Sequence, residues 1–337
     1  MSGFGAMKQV KEQKIEQKLD AAPVEKVVEQ KPSVAKKAPP KVTNPLEAEL
    51  QSLATSKMGS HVFCGLVAHE NMGKTGTAMD AHMHCVKEKV YGPNDMMWAL
   101  DFDGGAAACR SAHYGDTANI RIWNPWMMQS DNRTAYDYPA THQRIMDIAM
   151  FALDKAKEQN QEGYKGPVLR NFLVTAVDLF DQVCINNMKI YDMDTGSKDA
   201  IDASKSSVNQ SIGWNWNIRS TRYHQLTAIC RQLMHNGVNV FWETHLAPEV
   251  FGDSQTGAWR PKWEKQTDNI LNQILWFNKH IIRDDDGKPT GEVRYAVEFY
   301  KSKTNPALQG QERVIFVTKK GEAPMWYGLP ELREGLL

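Results

Sequence analysis

From residue 61 onward, short apolar runs of strand length alternate with amphipathic stretches of helical length. That alternation predicts an α/β domain built on a mostly parallel central sheet with helices on both faces. The apolar runs place strands at 61–67, 97–102, 119–123, 172–177, 239–244, 273–282, 293–301 and 313–318. Helices are expected at about 74–90, 141–158 and 219–235, where apolar positions recur on one helical face. The last strands are separated by turn signals, Asp284-Asp285-Asp286-Gly287 and the segment 305–310, so the C-terminal strands are expected to run antiparallel.

Residues 1–58 differ in kind. They contain no Arg and no Trp, ten Lys against seven Asp plus Glu, and an Ala/Pro/Lys-rich segment over 34–42. Too polar to offset its ordering entropy, this stretch reads as a disordered, mildly basic tail with a candidate short helix over 45–53. A tail that docks on a neighbouring subunit is the functional alternative. Residues 59–337 then form one domain. The whole chain balances 40 Lys plus Arg against 40 Asp plus Glu, and subtracting the tail leaves 30 against 33. That balance does not mark a bulk nucleic-acid coat or a membrane-surface protein, so any nucleic-acid contact must come from a local cluster. Cys64, Cys85, Cys109, Cys184 and Cys230 are scattered, with no C-x-x-C pair, which argues against a disulfide framework or zinc ribbon and for a reducing cytosol. No apolar run approaches the roughly 18–20 residues of a membrane span, and no secretory block opens the chain. A soluble, cytoplasmic protein is expected, in the host cytoplasm if it is viral.

The most specific motif follows the first strand. Ala68-His69-Glu70-Asn71-Met72-Gly73-Lys74-Thr75-Gly76 fits (A/G)-x-x-x-x-G-K-(S/T), with a strand before it and a helix after it. Such a loop wraps phosphates in backbone N–H groups at the positive end of a helix. Gly73 would allow close backbone approach, Lys74 would reach the β- and γ-phosphates, and Thr75 would place its hydroxyl on Mg²⁺. ATP and Mg²⁺ are the cofactors this chemistry calls for.

A phosphate loop needs a second Mg²⁺ anchor, usually an acid that ends a buried strand. The run Phe172-Leu173-Val174-Thr175-Ala176-Val177-Asp178 offers Asp178 at the C-terminal edge of a strand, where ligands collect in parallel sheets; Asp181 ranks second. Hydrolysis also needs a group that orients water. Asp101-Phe102-Asp103-Gly104-Gly105 supplies two carboxylates near a strand end, and Asp103 is favoured because the glycines leave it at the tip. The alternative is that both cap the following turn.

In this order the motifs resemble the RecA-type recombinase core, over about residues 60–328. The loop is similar to that family's phosphate loop, including a Glu at its third position, here Glu70. Asp103 stands where the family carries its water-activating acid, and Asp178 where it carries the Walker B acid. The segment Phe241-Trp242-Glu243-Thr244-His245 resembles the strand that senses the γ-phosphate, His245 being similar to the ending of phage ATPases with this core. Tyr300-Lys301-Ser302-Lys303 resembles the Lys-x-Lys element with which one subunit reaches its neighbour's nucleotide. What the resemblance implies is a RecA-like P-loop fold and ATP hydrolysis that depends on assembly into a filament or ring. No C-terminal domain of the bacterial kind or N-terminal hairpin module is recognisable, and the insert 124–170 has no assigned role. These departures shift the likeness toward phage and archaeal-virus ATPases associated with single-strand annealing.

In that family two loops face DNA, and both corresponding intervals are long here, 186–222 and 246–265. The first ends in Trp214, Trp216, Arg219 and Arg222, and the second carries Trp259, Arg260, Lys262 and Trp263. Aromatics interleaved with cations suit single strands, since any base can stack while a cation holds phosphate. The alternative is that these tryptophans pack on neighbouring elements. The expected protein is thus a Mg²⁺-dependent ATPase acting on single-stranded DNA in recombination, repair or replication. A helicase-like or packaging motor and a KaiC-like regulatory switch are the rival readings.

Overall fold

The structure, a computed structural model, describes residues 61–131, 133–194, 215–251 and 254–337. The tail expected over 1–58 lies outside the described residues, as does the helix expected within it. In chain order the first elements are β1 (Phe63–Ala68), α1 (Lys74–Lys87), β2 (Met96–Leu100), α2 (Gly105–His113), β3 (Ile120–Trp123), α3 (Tyr138–Glu158), β4 (Leu169–Val174) and α4 (Val177–Asp194). They are followed by α5 (Asn215–His235), β5 (Asn239–Phe251), β6 (Ser254–Pro261), α6 (Thr267–Ile270), β7 (Gln273–Arg283), β8 (Pro289–Ser302), β9 (Glu312–Lys319), β10 (Met325–Trp326) and α7 (Pro330–Arg333).

The strands form one mixed, mostly parallel sheet in the order β10-β9-β8-β7-β1-β5-β4-β2-β3, with β6 paired to the far end of β5. Strands β7, β1, β5, β4, β2 and β3 run parallel, while β8, β9 and β10 add on antiparallel beyond β7. The central strand β1 is apolar throughout and buried along its length, as a parallel strand covered on both faces must be. Alternation along the strands divides the core in two. Phe63, Val67, Leu100, Val174 and Trp242 pack with α3, α4 and α5, whereas Cys64, Leu66, Ala99, Leu173 and Phe241 pack with α1, α2 and α7. The result is three layers, with β5 inserted between β1 and β4.

The expected strands are present with shifted ends, and one shift matters. The apolar run over 172–177 is shared between two elements: β4 stops at Val174, Ala176 turns through φ 42°, and α4 starts at Val177. Val177 and Phe180 are as deeply buried as the strand residues, so hydrophobicity alone could not mark the boundary. Asp178 is therefore in the first turn of a helix and not at the edge of a strand. Helix α2 was not expected, and α4 occupies the start of the interval read as a first DNA-facing loop. The second such interval is largely a hairpin of β5 and β6. Among the described residues no helix is long and apolar enough to cross a membrane.

Gly65 shows how tightly the sheet is covered. A Cβ there would meet both Leu271 and the Trp263 ring at 2.8 Å, and Trp263 is itself buried. Gly65→Ala is expected to cost about 1–3 kcal/mol through overpacking, read as a lower Tm. An unchanged melting curve would mean that the Trp263 ring does not lie over β1.

Candidate functional site

The chain leaves β1 at Ala68 and turns through His69, Glu70, Asn71 and Met72 before α1 begins at Lys74. Asn71 and Gly73 take left-handed backbone, φ 57° and 86°, and at Gly73 any Cβ would be strained. Gly73 supplies no side-chain cap, so the first-turn amides, Gly76 included, keep their donors and the helix dipole for a ligand. Lys74 is buried, and its Nζ donates to the His69 carbonyl at 3.2 Å, closing the loop. Burial pushes the Lys74 pKa down, against the opposing pull of Glu243, Asp103, Asp178 and Glu70. Four carboxylates therefore act on one ammonium.

Glu243 is the partner that sequence reasoning missed. It pairs in register with Leu66 on the adjacent strand β1 and is 2% exposed. Its Oε2 accepts from Thr75 Oγ1 at 2.9 Å, while its Oε1 is buried with no partner. Burial pushes the Glu243 pKa up to about 8, opposed by Lys74 and the Thr75 hydrogen bond. The signal in the sequence was a carboxylate inside an otherwise apolar strand, Phe241-Trp242-Glu243.

Asp101 and Asp103 stand at the end of β2 in different roles. Asp101 is buried and accepts from the amides of Ala106 and Ala107 at 3.2 and 2.9 Å, capping α2. Burial raises its pKa in spite of those amides. Asp103 is exposed at the tip, its Oδ1 accepting from the Gly105 amide at 3.1 Å. Thr175, just past β4, ties the two together. Its hydroxyl accepts from the Phe102 amide at 3.0 Å and lies 3.2 Å from Asp101 and 3.0 Å from Asp103, so its single proton serves one carboxylate at a time.

Asp178 has both oxygens occupied: Oδ1 lies 3.1 Å from His245 Nδ1, and Oδ2 accepts from Lys262 Nζ at 3.1 Å. Burial works to raise its pKa, but these partners outweigh it and hold the carboxyl below its ordinary range. The Thr75 hydroxyl thus meets Glu243 and not Asp178, one strand nearer to β1 than expected. Asp181 is engaged elsewhere, in a two-point ion pair with Arg219 at 2.7 and 2.6 Å.

The expected DNA contacts separate into two groups. Trp214 lies outside the described residues. Arg219 and Lys262 are held in ion pairs, and Trp263 is a core residue whose indole donates to Asp268 at 3.0 Å, which corrects its reading as a stacking platform. Trp216 is 43% exposed beneath the Arg219 guanidinium, and Trp259 is 48% exposed with its ring 4.5 Å from that of His69. Arg260 is exposed on the hairpin and Arg222 half-buried on α5. Lys301 pairs with Ile274 at the start of β7, level with Gly65, and both Lys301 and Lys303 donate to carbonyls of α6. Within one chain both ammonium groups are therefore seated on α6.

One further neighbour was not foreseen. Trp326, half-exposed on β10, brings ring atoms to 3.7 Å from where a Cβ would stand on Gly73 and 3.6 Å from the same point on Gly76. Among the described residues no three or more His, Cys, Asp or Glu side chains converge as a metal cage. A Mg²⁺ that arrives with phosphates needs none, because phosphate oxygens and waters complete its octahedron. Thr75 and the unpartnered oxygen of Glu243 would fit the protein side of such a shell. No family model and no curated protein matches this chain.

The raised pKa of Glu243 sets a pH dependence of the nucleotide-free fold. Below the unfolded carboxyl pKa both states hold the proton and nothing is lost. As pH rises toward about 8 the unfolded chain releases it while the folded chain retains it, and stability falls. Glu243→Gln removes that titration, so its Tm is expected to rise relative to the wild-type value as pH goes from 5 to 8. On the linkage scale the difference is on the order of a few kcal/mol. A margin flat with pH would show that the carboxyl titrates normally.

Proposed function

We propose that this protein is a Mg²⁺-dependent ATPase of RecA-like P-loop build that assembles and acts on single-stranded DNA. The observation that carries this reading is the arrangement of Lys74 and Thr75 at the start of α1, facing Glu243 and Asp103 across the C-terminal edge of a parallel sheet. Placement of β5 between the loop-bearing β1 and β4 supports it, since this brings a polar strand end beside the phosphates.

In this reading the loop amides and Lys74 bind the β- and γ-phosphates. Mg²⁺, when bound, neutralises charge on the phosphoryl oxygens. Asp103, held by Gly105 and Thr175 but open to solvent, orients and deprotonates the attacking water. Trp326, lying over the start of α1, offers the flat apolar surface on which the base of the nucleotide stacks. Lys301 and Lys303, seated on α6 within their own chain, act on the nucleotide of a neighbouring copy. His245 links the site to the β5–β6 hairpin, where exposed Trp259 and Arg260 are the surface for single strands.

Lys74→Ala is expected to abolish ATP turnover with the fold kept, read as a cooperative melting transition, and Asp103→Asn to lower kcat by about 10²-fold or more with nucleotide binding kept. Retained turnover in both would remove the assignment. Single-stranded DNA should raise turnover more than duplex, with the effect weakening as salt increases. Turnover indifferent to any nucleic acid would transfer the core to the nucleotide-dependent protein-switch reading. Trp326→Ala should raise the KM for ATP by about fivefold or more, as loss of one base-stacking contact does, with little change in kcat; an unchanged KM would remove the base platform.

A further inference from the structure

We propose that Glu243, on the strand beside β1, is the acidic anchor of the Mg²⁺ that accompanies the nucleotide, and that Asp178 is not. This inference rests on the nucleotide reading above and adds to it a metal-anchoring residue on an unexpected strand.

A Mg²⁺ bound with phosphates takes the loop hydroxyl, phosphate oxygens and waters, and an acidic side chain beside that hydroxyl orients the shell. Three observations place Glu243 there. The first is contact: β5 is the immediate parallel neighbour of β1, and the register opposite Leu66 delivers Glu243 Oε2 to the Thr75 hydroxyl at 2.9 Å. The second is an unmet need. Glu243 is 2% exposed and its Oε1 is buried without a partner, a costly state for a polar oxygen that a hydrated cation would relieve.

The third is elimination among the carboxylates that act on Lys74. Asp178 has an oxygen on His245 and the other on Lys262. Asp103 is exposed at the tip of β2, and Glu70 is exposed on the loop itself. The first residue past β4, where the acid was expected, is the uncharged Thr175, whose hydroxyl turns to Asp101 and Asp103. Glu243 is left as the carboxylate that touches Thr75. Lys74, whose ammonium also acts on Glu243, is the protein's own cation beside this carboxyl.

The test is equilibrium binding of a fluorescent ATP analogue to the full chain, with Mg²⁺ and with EDTA. The wild type is expected to bind more tightly with Mg²⁺. Glu243→Gln keeps the side-chain volume and an oxygen for Thr75; it should lose about tenfold or more of that Mg²⁺-dependent gain while its affinity in EDTA is retained. Asp178→Asn should keep the gain. A full gain in Glu243→Gln, or its loss in Asp178→Asn alone, overturns the proposal. If Glu243→Gln does not fold, Glu243→Asp draws the carboxylate back by one methylene and should lose part of the gain, an undiminished gain again overturning it. Wild-type protein that binds no nucleotide under either condition overturns the nucleotide reading itself, and the metal role with it.

Discussion

A carboxylate buried inside the sheet is the constraint around which the site is organised. Glu243 occupies a position on β5 that, two residues earlier, is filled by Phe241, and it has no water to ionise into. Its compensation comes from the Thr75 hydroxyl and the Lys74 ammonium. Both belong to the start of α1, so the parallel pairing of β1 with β5 and the seating of that helix are coupled through one polar contact. A fold that buries a charge without full satisfaction loses stability relative to an apolar alternative. Such a cost is concentrated where function needs a poised group. The unpartnered oxygen of Glu243 is one buried polar atom of this kind, and it lies beside Thr75 at the start of α1.

The same economy of charge runs outward from the site. Asp178, buried at the head of α4, holds His245 at the point where β5 leaves the parallel sheet and Lys262 just beyond the returning strand β6. The hairpin between them is thereby tied at its base, while Trp259 near its middle lies against His69 of the loop after β1. Arg219 and Asp181 join α5 to α4 in the same manner. Basic residues that would serve a nucleic acid by composition are thus partly spent on holding elements together. Among the described residues the exposed members of that set are fewer and more localised than the sequence indicated, chiefly Trp216, Trp259 and Arg260.

Much of this architecture was legible. The loop over 68–76 could be placed because it falls between an apolar strand and an amphipathic helix, and the strands from β1 to β3 and β7 to β9 because their apolar runs are bounded by turns. Asp178 was misplaced because the run from Phe172 to Val177 feeds a strand and a helix without a charged residue, glycine or proline to mark the break. Glu243 stands inside an expected strand, but its meaning depends on which strand lies beside β1, a pairing across 177 residues of sequence between Phe63 and Val240. Trp326 escaped for a similar reason: it sits on a two-residue strand whose relation to Gly73 and Gly76 exists only in three dimensions. Trp263 looked like a stacking residue in an aromatic-basic run, and it is the packing over Gly65 that makes it core.

The most direct measurement is a crystal structure of the full chain with Mg²⁺ and a non-hydrolysable ATP analogue. The account predicts phosphates on the amides between Asn71 and Thr75 with Lys74 turned onto them, and a metal on Thr75 with Glu243 facing its shell. Phosphates bound away from this loop, or a metal held by Asp178 with Glu243 uninvolved, would contradict it.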